Sequence, residues 1–347
     1  MSSSKRLFSY DIIRAVAMTF VVATHAIMIV DTSTPVGSIY HNAGQLFFIT
    51  ANALFFMLSG KFNCRERQDK ESLIRFYTKR FRNFIIPVLI YFFVRTLFDM
   101  YPNYESVPHV AKAYLANLLS IYSNTEYWFV FVLFGFILCS PFLAHMATRM
   151  NETECIAFLI IGIVYNFIMV ISMNTGIEFG WGFLFSGFGF TFFIGAILDK
   201  IALSDKAVRI WYFGALLSFI AGVFLRQIGW GAGSMDISPF YTVLAIGIYL
   251  FILRKGERTK PNKIISFLAQ HSFGVYLTHM MVLWPLLGVL PVAHGAIAIP
   301  VHIGLTIVAT AGALLFSVIV DTMLVKPLQK LFDLIGSLIR RSCNTTN

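Results

Sequence analysis

The chain has 347 residues, 57% hydrophobic and only 13% charged, with 36 Phe and a mean hydropathy of +0.74. That balance excludes a soluble globular domain and marks a polytopic membrane protein. The net charge of +10 has no long polar segment to act from, which excludes a nucleic-acid partner.

In chain order the apolar runs fall at roughly 7–30, 42–62, 83–101, 127–148, 155–174, 180–198, 208–227, 237–254, 268–290 and 297–324. About 20 mostly apolar residues cross a bilayer as a helix, so these runs predict an all-α bundle of about ten transmembrane helices. They form a single domain over residues 1–347, with no internal repeat. A weaker run at 108–122 follows Pro102 and Pro108 and reads as an interfacial or re-entrant piece. The first run is too long for a cleavable signal and no small-residue cleavage site follows it, so it is expected to stay in the membrane.

Loop charge gives the orientation. Segment 61–82 carries Lys61, Arg65, Arg67, Lys70, Arg75, Lys79, Arg80 and Arg82, and segment 254–263 carries Arg254, Lys255, Arg258, Lys260 and Lys263. Lys200, Lys206 and Arg209, then Lys326, Lys330, Arg340 and Arg341, follow the same parity, whereas the alternate loops are poor in basic residues. With ten spans every basic loop shares one side with Lys5 and Arg6, which predicts cytoplasmic termini. Glycosylation is not expected at the N-x-T sequons of Asn151 and Asn344, which fall on that side. Cys64, Cys139, Cys155 and Cys343 show no metal-ligand or CxxC spacing and read as free thiols.

The first run carries three ionisable residues, Asp11, Arg14 and His25. Such groups inside a spanning helix are costly and face the protein interior or a wet cavity. Arg14 and His25 are eleven residues apart, so they share one helix face with roughly 16 Å between them along the axis. Asp11 and Arg14, three apart, can pair. The plain alternative is a packing ion pair and a core histidine.

The second run ends in FFMLSGKF, where Ser59 and Gly60 allow close approach of a backbone or a ligand. Next, Lys79, Arg80 and Arg82 precede the third span before Pro87. They read as positive-inside anchors or as a cradle for an anionic ligand, since guanidinium forks match phosphate. Arg95 and Asp99, four apart, read as a structural pair. Glu126, Tyr127 and Trp128 open the fourth span, where Tyr and Trp form an interfacial belt or, with Glu126, contact a hydroxyl-rich acceptor. In SFGVYLTH of the ninth span, Tyr276 and His279 share a face. His271, His294 and His302 lie near span ends and receive no role.

Together these pieces resemble the acyltransferase-3 family of integral-membrane O-acyltransferases. The resemblance rests on D-x-x-R-x10-H (Asp11, Arg14, His25), FFMLSG, KRFRNFIIP, YWFVFVLFGFILCSPFL from Tyr127 and SFGVYLTH, in that order over roughly residues 7 to 324. One departure is Asp-Ile-Ile-Arg where many members have Asp-Gly-Leu-Arg. The length resembles the stand-alone branch that modifies surface glycans. The resemblance implies a bacterial inner-membrane O-acetyltransferase with cytoplasmic acetyl-CoA as acyl donor, no metal, and a surface or lipid-linked polysaccharide such as O-antigen or exopolysaccharide as acceptor. Arg14, Lys79, Arg80 and Arg82, with Ser59, Gly60, Tyr276 and His279, would hold the donor. Asp11 would orient Arg14, and His25 would act as general base, a task suited to imidazole, or carry the acetyl group covalently. Glu126, Tyr127 and Trp128 would meet the acceptor. Two other classes remain open from the residues alone: a secondary transporter or glycan exporter, and a receptor or assembly factor without chemistry.

Overall fold

The computed structural model describes residues 8–67, 69–120, 125–177, 183–185, 187–230 and 238–345. They form α-helices joined by short turns, with no β-strand among the described residues.

Helix α1 (Phe8–Ala26) is the axis. Around it pack α2 (Pro35–Phe48), α3 (Thr50–Asn63), α11 (Pro239–Gly256), α12 (Lys263–Val289) and α13 (Ala298–Val320). Encirclement leaves Ile13, Ala17, Val22 and Ala26 without exposed surface. Small residues allow the close approach, in place of the hydrophobic drive that lipid does not supply. A Cβ on Gly256 of α11, for instance, would lie 2.6 Å from the Ser9 Cα.

Nine helices among the described residues are long and apolar enough to cross a membrane. They match nine of the ten expected spans. The remaining run, 180–198, lies partly outside the described residues, and its described part is α9 (Gly187–Ile197). There α3 and α9 meet backbone to backbone. A Cβ on Gly60 would collide with the Phe192 carbonyl oxygen, and one on Gly195 with the Met57 carbonyl oxygen.

The second span departs from expectation. Its helix starts at Pro35, capped by the Thr34 hydroxyl, and breaks at Ile49 between α2 and α3. Side chains take up backbone groups at the break: Thr50 Oγ1 donates to the Phe47 carbonyl at 2.6 Å, and the Ala53 amide donates to the Tyr241 hydroxyl at 2.8 Å. Irregular backbone at membrane depth is tolerated where it is buried in protein or lines a cavity.

Two long helices contain π turns. Helix α4 (Lys70–Arg80) runs through Phe81–Ile85 into α5 (Ile86–Met100). Helix α13 runs through Asp321–Val325 into α14 (Lys326–Thr345). The weak run is a helix, α6 (Val107–Leu119), held to α5 by Tyr114 donating to the Leu89 carbonyl at 3.0 Å and Asn117 to Thr96 Oγ1 at 2.8 Å. Helices α7 (Trp128–Arg149), α8 (Glu152–Thr175) and α10 (Asp205–Gln227) complete the bundle. On α10, Ile210, Phe213, Leu217, Ile220 and Phe224 are exposed at helical spacing, a stripe suited to lipid.

Beyond α1 the chain is stitched to the link between α12 and α13. Asp31 N donates to the Ala293 carbonyl at 2.9 Å and Ala293 N to the Ile29 carbonyl at 2.8 Å. The Asp31 carboxylate also accepts from the Ser33 amide, the Ser33 hydroxyl and His294 Nδ1 at 2.8, 2.7 and 2.7 Å.

Candidate functional site

Asp11 and Arg14 pair on α1 at 3.3 Å. Asp11 is buried and also accepts the Ser266 hydroxyl from α12 at 3.0 Å, so the carboxylate is fixed from two helices. The Arg14 guanidinium lies 5.1 Å from the centre of the Phe62 ring on α3. It opens into a cavity of about 340 Å3.

That cavity has a basic, polar mouth. Arg14, Ser59, Asn63, Arg80, Asn83 and Gln270 line it, backed by Phe55, Phe84, Phe129 and Tyr276. Arg80 Nε is buried and makes no hydrogen bond among the described residues. Arg80 and Arg67 both lie over the Phe76 ring, at 5.2 and 3.7 Å from its centre. Two guanidiniums in the wall, Arg14 and Arg80, with no carboxylate lining it among the described residues, favour an anionic ligand.

The cationic tract divides here. Arg80 lines the cavity, whereas Lys79 is exposed and outside it. Arg82 turns away to Asp333 of α14, with Nε donating to both carboxylate oxygens at 2.8 and 2.9 Å. Successive helical residues diverge by about 100°, so neighbours in the tract face different ways. The Ser-Gly pair divides as well, with Ser59 in the wall and Gly60 against α9.

Toward the other end of α1, His25 borders a second, smaller chamber of about 110 Å3. Thr24, Asn52, Glu126, Trp128 and Tyr276 share its wall with Ile49 and Ala51 from the break between α2 and α3. The break therefore lines a cavity, as irregular intramembrane backbone must when it is not packed in protein. The His279 ring centre lies 5.2 Å from that of His25. Trp128 stacks on Phe188 with ring centres 4.6 Å apart.

Among the described residues Tyr276 alone lines both cavities. Its hydroxyl donates to the Glu126 main-chain carbonyl, and its ring packs 5.2 Å from that of Phe129. The Glu126 carboxylate is taken by Arg95, whose Nε donates to both oxygens of Asp99 at 2.7 Å. Tyr127 is not part of an interfacial belt. It is 1% exposed and donates to the Leu277 carbonyl at 2.6 Å, because the start of α7 is sunk against α12.

Several polar wall residues carried no expectation from sequence: Thr24, Asn52, Asn63, Asn83 and Gln270. Asn52, an amide within an apolar run, was the most visible signal. His271 also has company. Its Nδ1 donates to Asp321 at 3.0 Å, and Tyr91 donates to the same carboxylate at 2.8 Å, where the second π turn begins.

A family model described as an acyltransferase domain matches residues 7–321. No curated protein and no solved structure matches the chain.

Proposed function

From the chain's membership of the acyltransferase-3 family, we propose that it is an O-acetyltransferase that takes acetyl from acetyl-CoA at the Arg14 end of the bundle. It delivers the group to a sugar hydroxyl at the His25 end. The observation that supports this is the pair of cavities, one basic and one polar and aromatic, meeting at Tyr276.

The phosphates of the donor pair with Arg80 and Arg14 at the mouth. The nucleotide stays at the polar mouth and the pantetheine arm enters between Phe55, Phe84 and Phe129. Loop charge supports a cytoplasmic mouth, and the family membership supports a bacterial inner membrane. In the small chamber Trp128 offers a ring face to a sugar of a surface or lipid-linked polysaccharide, and Thr24 and Asn52 offer hydroxyl partners. The acceptor oxygen attacks the thioester carbonyl while His25 takes its proton. The C–S bond then breaks, the proton passes to the departing thiolate, and the products are an acetyl ester and free CoA.

Membranes containing the protein, given radiolabelled acetyl-CoA, are expected to label their own glycan. His25→Ala should abolish labelling while leaving CoA binding in place. Failure of the wild-type protein to bind any acyl-CoA would overturn the reading.

A further inference from the structure

His279 Nδ1 lies 2.5 Å from the Tyr276 carbonyl oxygen. A carbonyl only accepts, so this nitrogen carries the proton. In the neutral ring Nε2 is then a bare acceptor. It is buried and has no hydrogen-bond partner among the described residues. A buried acceptor left unmet is destabilising. The ring beside it is His25, with centres 5.2 Å apart and planes inclined by 42°. At that separation two ring nitrogens that point at each other lie at roughly the 2.8–3.0 Å of a hydrogen bond.

His302 shows the contrast. Its Nδ1 accepts from the Tyr40 hydroxyl at 2.7 Å and its Nε2 donates to the Ala23 carbonyl at 2.9 Å, so both nitrogens are spent. The other titratable groups in the described wall of the small chamber are Tyr276, whose hydroxyl is given to a carbonyl, and Glu126, which is paired with Arg95. His279 Nε2 is the acceptor left over.

Resting on the acyl-transfer reading above, we propose that His279 is the positioning residue for His25. Its Nε2 accepts the N–H of one His25 ring nitrogen and so keeps the other nitrogen deprotonated toward the chamber. In the transfer step the acceptor hydroxyl gives its proton to that free nitrogen as the oxygen–carbonyl bond forms. The second N–H stays bonded to His279, which shares the charge of the imidazolium. The first nitrogen then returns its proton to the thiolate as the C–S bond breaks. His279 touches neither substrate and ends each cycle unchanged.

The test uses full-length protein in bilayers with ring-15N histidine, His25 being assigned by difference against His25→Asn. Wild type should show one His25 tautomer. His279→Leu should show a mixture, and His279→Gln, whose amide oxygen still accepts, should restore the single form. In native membranes with radiolabelled acetyl-CoA and their own glycan, His279→Leu should lower kcat about tenfold or more, with KM for acetyl-CoA within about twofold. An unchanged His25 tautomer in His279→Leu overturns the proposal. If that variant does not fold, His279→Asn, too short to reach, is read by the same criterion. Absence of acetyl-CoA binding by wild type would instead sink the acyl-transfer reading and leave the tautomer measurement intact.

Discussion

Tyr276 of α12 donates its hydroxyl to the main-chain carbonyl of Glu126, across 150 residues of sequence. The bond fixes the ring between the two cavities. Tyr276→Phe keeps the ring and loses the tether, worth about 1 kcal/mol, so transfer should fall roughly fivefold. Tyr276→Ala joins the cavities and should raise hydrolysis of acetyl-CoA relative to glycan acetylation. Thiol release measured against acetylated product separates the two effects.

Among the cations before the third span, Arg80 should matter most to the donor. Arg80→Gln is expected to weaken CoA binding by about tenfold or more, the scale of a lost charge-assisted hydrogen bond. Lys79→Gln should be neutral. Arg82→Gln breaks a surface pair with Asp333 and should cost at most about 1 kcal/mol of stability, with the affinity unchanged. Equilibrium dialysis of CoA against the three variants ranks them.

Gly60→Ala should destabilise the protein without touching the cavity wall. The added methyl meets the Phe192 carbonyl oxygen, which is backbone and cannot swing aside. Overpacking of this kind costs about 1–3 kcal/mol, and a lowered Tm in detergent is the readout. Ser59→Ala, one residue earlier, should leave Tm near wild type.

Asp31 is held down at about 2, first by the Ser33 hydroxyl and amide and then by His294. Its folded value lies below the unfolded value of about 3.9, so its contribution is complete above that value and disappears as pH falls through about 2. Wild type should therefore be more stable than Asp31→Asn at pH near 5, and the two unfolding midpoints should converge on acidification toward about 2.

The helical spans and the pairs Asp11–Arg14 and Arg95–Asp99 were legible in sequence because they depend on hydropathy and on spacings of three or four. The common face of Arg14 and His25 was legible for the same reason, since α1 stays regular to Ala26. What was hidden depends on contacts distant in the chain. Arg95 also takes Glu126, 31 positions away, and Arg82 takes Asp333. Tyr127 looked like a membrane-surface residue because nothing local reveals that α7 begins against Leu277. His271 looked idle for the same reason, as Asp321 lies 50 residues further on.

The π turn at Phe81–Ile85 holds one residue more than an α-helical turn would. Removing one residue from it would leave a plain α-helical turn and keep the flanking faces nearly in register, because the surplus residue lies within that one turn. Removing one from the regular helix of α5 would instead swivel everything upstream by about 100°, taking Arg80 from its wall and Phe81 and Arg82 from Phe332 and Asp333. Side-chain direction is thus a reading frame in the plain helix. The π turn is where a lost codon leaves that frame intact.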